Sequence, residues 1–318
     1  MGKPNAIILA AGRSQSFGPF SLERPKGLFR VRGEVLIERQ IQQLREAGVE
    51  DIAVVIGFMK EKFFYLEKKF GVSLVFNNGY ETSGNLVSLM LAREHLADTF
   101  VCCADHWFAE NPFAHAGTNC SYRAIMSREG PFREFSAELD GDAIVGASMG
   151  GEDGACMVAE AYFTREFSER FLALADAEID GFGVRRMFWE EFWARHAAEL
   201  PLAYRVVDPG SFREFEDLDE LRDFDSDFLD GVDSRIASNI SFALGCERSE
   251  ISHVEVLNKG LSNVLFSFEV CGKRYVYRHP GGSSGNFANR KSEAASMTAA
   301  ERLGLCEPCI HIDADRGW

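Results

Sequence analysis

The sequence predicts an α/β protein built on a doubly wound, mostly parallel sheet. Short apolar runs alternate with segments of helical periodicity, and Gly48 closes the first helical segment. That first unit has an apolar run at 6–9, a helical face at 36–44 and a second apolar run at 52–56. Two strands joined by a helix in this way form a parallel βαβ unit.

The same alternation continues to a strand predicted over 100–104. The elements in between are two helices and one strand, at 60–70, 86–96 and 72–76. In such sheets ligands bind beyond the carboxyl ends of the strands. This rule directs attention to the loop after Leu9 and to Asp105, which follows the strand at 100–104.

Beyond residue 122 the order of elements becomes mixed, and we expect these elements to extend the sheet. They are two strands, near 144 and at 157–163, and two helices, at 165–177 and 184–196. A new pattern of short strands begins near 255, and a chain of 318 residues has room for about two domains. We therefore predict a first domain at 1–230, a linker at 231–251 and a small α+β domain at 252–318.

Composition excludes several classes of protein. The chain has 34 Lys+Arg and 49 Asp+Glu, a net charge of −15, which argues against a large surface for nucleic acid or anionic lipid. No apolar run approaches the roughly 18 residues of a membrane helix, and the first residues are too weakly apolar for a signal peptide. The eight cysteines are scattered, as reduced thiols often are, so we expect a cytoplasmic protein.

Small residues follow the first predicted strand, at Leu9, Ala10, Ala11 and Gly12. Such residues let backbone N–H groups approach a phosphate chain, and Lys26 could return to neutralise that chain. A tight connection between a strand and a helix explains the same residues equally well.

Three carboxylates are candidates for holding a metal ion. Asp105 ends its strand, and Glu214 and Glu216 would share one face of an extended segment. Mg²⁺ prefers oxygen ligands and takes one or two carboxylates together with substrate phosphates. Spacing alone, however, favours an acidic, solvated helix start for the two glutamates.

Three stretches occur here in the order and spacing of nucleotidyltransferases that couple a nucleoside triphosphate to a phosphorylated small molecule: LAAGRSQSFGPFSLERPKG, NNGYETSGNLVSL and CCADHWFAENPF. Over roughly residues 1–230 the chain resembles the bacterial choline-phosphate cytidylyltransferases. The resemblance implies a Mg²⁺-dependent enzyme with a Rossmann-like sheet that transfers CMP from CTP to phosphocholine, giving CDP-choline and pyrophosphate. It also implies that Asp105, Glu214 and, in place of an aspartate, Glu216 hold the metal.

The phosphate loop departs from the family pattern. Ser14 and Ser16 stand where the family usually has glycine and arginine. That arginine would lie near the departing pyrophosphate, and we expect Arg13 to replace it. Lys26 and the metal on Asp105 would carry the remaining charge neutralisation. A dianionic phosphate acceptor needs no protein base for in-line attack.

Aromatic and acidic residues would select the second substrate. Choline has no N–H group, so a site recognises it through aromatic faces and negative charge. The candidates are Phe135, Phe188, Trp189 and Glu190. With 27 Phe in the chain, any one aromatic ring is more often part of the core. For the cytosine base the resemblance indicates Asn85 and Ser88, which could equally cap a helix.

From about residue 254 the chain resembles the amino-terminal lobe of choline kinase-like phosphotransferases. The matching stretches are KGLSNVLFSFEVCGKRYVYRHPGG, ANRKSEAAS and DRGW. The resemblance makes 260–263 a phosphate-covering turn, Arg278 a cation near phosphate and Glu293 its partner. The catalytic aspartates of such kinases would lie beyond Trp318, so we expect no kinase activity from this chain.

Two other functions fit the same sequence. A nucleotidyltransferase for a sugar 1-phosphate or for another phospho-amino-alcohol would use the same scaffold with different acceptor contacts. The loss of arginine at Ser16 would also suit a weakly active nucleotide-binding module.

Overall fold

The computed structural model describes residues 3–13, 17–18, 20–115, 120–259, 263–280, 290–313 and 315. Its strands are β1 (Asn5–Ala10), β2 (Arg30–Val31), β3 (Glu34–Val35), β4 (Ile52–Ile56), β5 (Ser73–Phe76), β6 (Thr99–Cys103), β7 (His106–Phe108), β8 (Tyr122–Asp140), β9 (Ala143–Phe163), β10 (Leu202–Val206), β11 (Phe212–Glu214), β12 (Ser252–Lys259), β13 (Asn263–Val270) and β14 (Lys273–Pro280).

The helices are α1 (Phe20–Glu23), α2 (Leu36–Glu46), α3 (Tyr65–Phe70), α4 (Asn85–Leu91), α5 (Arg165–Glu178), α6 (Trp189–Arg195), α7 (Leu218–Phe224), α8 (Phe228–Gly231), α9 (Arg235–Leu244) and α10 (Arg290–Arg302). Short 3₁₀ turns lie at Lys26–Leu28, Lys60–Phe63, Arg93–His95, Pro112–His115, Val184–Arg186 and Arg248–Glu250. Among the described helices, none is at once long and apolar enough to cross a membrane.

The chain forms two units, of which the first comprises 1–13, 25–29 and 34–214 and the second 14–24, 30–33 and 215–318. A seven-stranded sheet in the order β10-β8-β9-β6-β1-β4-β5 forms the centre of the first unit. Strands β6, β1, β4 and β5 are parallel to one another. Strand β9 runs antiparallel to β6 and β8, and β10 runs parallel to β8. The predicted α/β class with a mostly parallel sheet is confirmed.

Helices cover both faces of this sheet because successive residues of a strand point to opposite sides. Ile8 of β1 packs in the same apolar core as Ile41 of α2. Its neighbour Ile7 packs in a second core with Leu89 of α4 and Phe171 of α5. Each face of the sheet is therefore buried, as a doubly wound fold requires.

Several predicted elements have different limits in the structure. The predicted helix at 60–70 is a 3₁₀ turn followed by α3, and the helix predicted at 86–96 starts at Asn85 and ends at Leu91. The helix predicted at 184–196 is divided because Phe188 is extended, with φ −74° and ψ 153°. The two strands predicted near 144 and at 157–163 belong to one long strand, β9.

The second unit contains an antiparallel sheet, β12-β13-β14, and α10. The predicted linker at 231–251 contains α9, whose first turn is capped by the Ser234 hydroxyl accepting from Ala237 N at 3.1 Å. Arg278 and Glu293 form an ion pair. Residues 260–262 of the predicted phosphate-covering turn lie outside the described residues, so the roles assigned to this segment stay predictions.

Candidate active site

The loop after β1 lies at the carboxyl edge of the sheet. β1 ends at Ala10, and the carbonyl of Leu9 accepts a hydrogen bond from Ala104 N at 3.0 Å. The carbonyl of Ala11 accepts another, also 3.0 Å long, from the loop after β4. No described atom lies within 4 Å of the point where a Cβ on Gly12 would stand. Hydrogen bonds therefore hold the loop at Leu9 and Ala11, and within the described residues nothing fills the position beside Gly12.

Lys26 contacts Asp105 at this edge. Its Nζ lies 3.1 Å from Asp105 Oδ2, and its side chain is only 6% exposed. The neighbouring Gly27 permits this approach, because a Cβ there would stand 2.7 Å from the Cβ of Ala104. The turn that carries Lys26 can therefore lie directly against the end of β6.

A two-stranded ribbon brings the distant Glu214 to the same edge. β7 and β11 pair antiparallel with Phe108 opposite Phe212 and His106 opposite Glu214. Directly opposed residues share a face, so His106 Nε2 lies 3.5 Å from Glu214 Oε2. The phenyl rings of Phe212 and Phe108 meet the His106 ring edge-on at 5.1 and 6.0 Å and fix its orientation.

Glu214 is a charged carboxylate in this setting. Burial alone would raise its pKa, but hydrogen bonding with His106 and the charges of Lys26 and Arg123 lower the pKa to about 2. Glu216 lies in the second unit, where its backbone N–H donates to Glu220 Oε2 at 2.8 Å. The structure thus brings Lys26, Asp105 and Glu214 together. Strand β11 ends at Glu214 and does not include Glu216.

Gln40 holds the turn between β6 and β7. Its amide nitrogen donates to the carbonyls of Cys103 and His106, at 2.8 and 2.9 Å, and its side chain is fully buried. Sequence analysis did not identify Gln40 or His106. The sequence did contain a signal for Gln40. It is a polar residue on the apolar face of α2, four positions after Leu36 and four before Leu44.

Arg13 lies against the loops that follow β4 and β5. It forms an ion pair with Glu81, and its guanidinium lies 5.6 Å from the ring of Phe58 and 5.9 Å from that of Tyr80. Ser14 and Ser16 lie outside the described residues. The replacement role expected of Arg13 stays a prediction.

Asn85 and Ser88 both have protein partners. Asn85 Oδ1 accepts from Trp189 N at 2.7 Å, next to Gly84, where a Cβ would stand 2.0 Å from the Met187 carbonyl oxygen. Ser88 is 4% exposed and its hydroxyl accepts from Asn77 at 3.0 Å. These bonds join α4 to α6 and to the loop after β5. Base recognition by the two residues stays a prediction.

The four residues predicted to select the acceptor differ in exposure. Phe188 is 41% exposed and meets Phe135 edge-on at 5.8 Å. Trp189 is 2% exposed and packs against Phe163 in the core. Glu190 is 5% exposed and lies 3.5 Å from Arg123, a buried cation that sequence analysis did not identify. Burial raises the pKa of Glu190, and Arg123 opposes that shift.

The end of β6 is an acidic environment. Burial raises the pKa of the Cys103 thiol, and Asp105, Glu214 and Glu190 raise it further, so the negative field of all three reaches this point. Such a field favours a bound cation. The carboxylate oxygens of Asp105 and Glu214 are the donors that Mg²⁺ prefers, so the residues present fit that ion.

A parallel sheet edge with a small-residue loop, a buried lysine and two acids can bind a metal-associated nucleotide. The fold and the site thus define a nucleotidyltransferase. Residues 6–178 match the MobA-like NTP transferase domain. This match covers more than half of the chain, and the chain belongs to that family.

Individual relatives agree with the family. The chain is 28% identical over 217 residues to the choline-phosphate cytidylyltransferase of Streptococcus pneumoniae, covering 68% of this chain and 95% of that protein. It is 33% identical over 237 residues to the 2-aminoethylphosphonate cytidylyltransferase of Lancefieldella rimae, covering 71% and 94%. The solved structure of the CTP:phosphocholine cytidylyltransferase from S. pneumoniae superposes with a TM-score of 0.67 at 27% identity, covering 71% of this chain and 99% of that one.

Gly27→Ala should impair turnover without unfolding the protein. The added Cβ meets Ala104 at 2.7 Å and moves Lys26 away from Asp105. We expect about 100-fold slower pyrophosphate release, as small displacements of positioned groups produce. Gly231→Ala is the control, because no described atom lies within 4 Å of its Cβ position. Equal rates for both variants would contradict this role for Gly27.

The charge of Glu214 should make stability depend on pH in the acid range. Its folded pKa of about 2 lies below the ordinary value of 4.5. The charged Glu214 therefore stabilises the folded state fully above about pH 4.5, and this contribution is lost as pH falls toward 2. Glu214→Gln should cost on the order of 3 kcal/mol near neutrality and progressively less in acid, as measured by urea unfolding. Glu61→Gln, at an exposed position, is the control. A difference between wild type and Glu214→Gln that stays constant with pH would refute this account.

Proposed function

We propose that the protein transfers CMP from CTP to phosphocholine, or to another small amine that carries a phosphate or phosphonate, and releases pyrophosphate. Two relatives are named for choline phosphate and for 2-aminoethylphosphonate, and both acceptors join a phosphorus oxyanion to a nitrogen cation through a short carbon chain. The observation that carries the proposal is the 3.1 Å contact of Lys26 with Asp105, near enough to Glu214 for the charge of Lys26 to lower the pKa of that carboxyl.

Asp105 and Glu214 would hold Mg²⁺. Bound there, Mg²⁺ would neutralise the triphosphate and orient it. The low pKa of Glu214 keeps its carboxylate charged at neutral pH and ready for a cation.

The remaining groups bind and position the reactants. The loop at 9–12 would bind the phosphates through backbone N–H groups that follow the end of β1 at Ala10, and Lys26 would neutralise them. A phosphate or phosphonate oxygen of the acceptor forms a bond to the α-phosphorus. The bond from that phosphorus to the bridging oxygen breaks, and pyrophosphate leaves with the electron pair. The acceptor oxygen already carries negative charge, so no side chain has to remove a proton.

The acceptor's nitrogen cation would lie near Phe188. Its ring is the most exposed of the three predicted aromatic rings, and Phe135 supports it from one side. Aromatic faces attract alkylammonium groups. Glu190, the acid predicted beside the aromatic rings, is buried and lies 3.5 Å from Arg123, so it would contribute little negative charge to this cation. This arrangement suits a small cation better than a sugar ring, which needs several hydrogen-bonding groups.

Pyrophosphate release tests the proposal directly. CTP and UTP are each combined with phosphocholine, phosphoethanolamine, 2-aminoethylphosphonate and glucose 1-phosphate. We expect kcat/KM for CTP with one of the aminated acceptors to exceed that for glucose 1-phosphate by at least about 100-fold. Preference for glucose 1-phosphate would identify a sugar nucleotidyltransferase. Nucleotide binding without pyrophosphate release from any pair would identify a binding module.

Asp105→Asn should abolish turnover while the fold stays intact. The amide keeps the shape of the side chain but removes the charge that holds the metal, so we expect kcat to fall at least about 100-fold. Asp142→Asn, at an exposed turn, is the matched control and should retain wild-type rates. Mg²⁺-dependent product formation by Asp105→Asn at the wild-type rate would refute the assignment of Asp105.

A further inference from the structure

The turn that follows β6 carries three different metal-binding side chains. Cys103, Asp105 and His106 each offer one ligand atom, and these atoms lie within 4.8 Å of one another. The set combines sulfur, oxygen and nitrogen donors. Mg²⁺ prefers oxygen ligands to a thiolate, whereas Zn²⁺ and similar borderline-soft ions bind thiolate, imidazole and carboxylate together. The reaction proposed above uses only the oxygen donors of this edge.

His106 is arranged as a metal ligand would be. Its Nε2 faces Glu214 at 3.5 Å. Its other nitrogen, Nδ1, is buried and has no hydrogen-bond partner within the part of the chain that the structure describes. The ring itself is 3% exposed. A carboxylate on one imidazole nitrogen fixes the tautomer and directs the other nitrogen toward a metal.

Gln40 organises the turn before any ion binds. It donates to the carbonyls of Cys103 and His106 from one amide nitrogen, at 2.8 and 2.9 Å. The two residues that end the turn therefore keep their separation. In a tetrahedral zinc site with bonds of about 2.0–2.3 Å, ligand atoms stand roughly 3.5 Å apart. Atoms that now lie within 4.8 Å need to approach by about 1.3 Å at most.

We propose that Cys103, Asp105 and His106 form a binding site for Zn²⁺ or another thiophilic divalent ion. On binding, the Cys103 thiol passes its proton to solvent, and the sulfur and His106 Nδ1 each donate an electron pair to the ion. An ion bound at this site would occupy the Asp105 carboxylate, so Mg²⁺ could not bind there. The ion would therefore inhibit the enzyme. This last consequence rests on the proposed function, whereas the binding itself does not.

Co²⁺ is the probe, because its thiolate complexes have a charge-transfer band in the near ultraviolet. The full chain is used with Cys306→Ser and Cys309→Ser as background, which removes a pair of thiols three residues apart in sequence. We expect one equivalent of Co²⁺ to produce the band and Zn²⁺ to displace it. Cys103→Ser should abolish the band, and His106→Asn should weaken Co²⁺ binding at least tenfold. Cys102→Ser is the matched control and should keep both, since its sulfur packs in the core.

Absence of the band in the background protein, or its persistence in Cys103→Ser, would overturn the proposal. If Cys103→Ser fails to fold, the His106→Asn titration decides in its place, because unchanged Co²⁺ affinity would also overturn the site. The inhibitory role is measured separately. Zn²⁺ should slow pyrophosphate release, and added Mg²⁺ should restore the rate. A protein that binds Co²⁺ but shows no turnover with any acceptor would contradict the proposed function and leave the metal site supported.

Discussion

The pairing of β7 with β11 is the constraint on which the site depends. Two strands of three residues, about a hundred positions apart in sequence, set His106 opposite Glu214. Because β7 begins directly after the turn that carries Asp105, this register delivers a remote carboxylate to the end of β6. A shift by one residue would turn Glu214 to the other face of the ribbon. The phenyl rings of Phe108 and Phe212 hold the register by packing on the core side.

Charge balance couples the groups at this edge. Lys26 contacts Asp105 at 3.1 Å, and its charge also helps to lower the pKa of Glu214. Under the proposed mechanism, Asp105 would bind the metal ion in place of Lys26, and Lys26 would then be able to contact the triphosphate. Arg123 acts in a similar way for Glu190, deeper in the fold. In that mechanism, ligand binding would be an exchange of ionic partners in which each buried charge keeps a counter-charge.

Local patterns in the sequence were sufficient for the four parallel strands β1, β4, β5 and β6 and for the edge at which they end, but they did not predict β8 or β10. The small-residue loop at 9–12 and Asp105 follow from where parallel strands end. Glu214 followed only from family resemblance, because nothing local encodes its pairing with His106. Gln40 and Arg123 were not identified, since their roles come from tertiary contacts of buried polar groups. Trp189 was predicted from its aromatic character beside an acid and from the family resemblance, and the structure shows its ring in the core. The extended Phe188 separates α6 from the preceding 3₁₀ turn. The residue types in this segment did not predict that break.

A crystal structure with Mg²⁺ and a non-hydrolysable CTP analogue tests the central claim most directly. The account predicts a metal at about 2.1 Å from oxygens of Asp105 and Glu214. It also predicts the triphosphate beside Gly12, with Lys26 Nζ at about 2.9 Å from a phosphate oxygen. A nucleotide bound away from Gly12, with the contact between Lys26 and Asp105 unchanged and no metal on either acid, would contradict it.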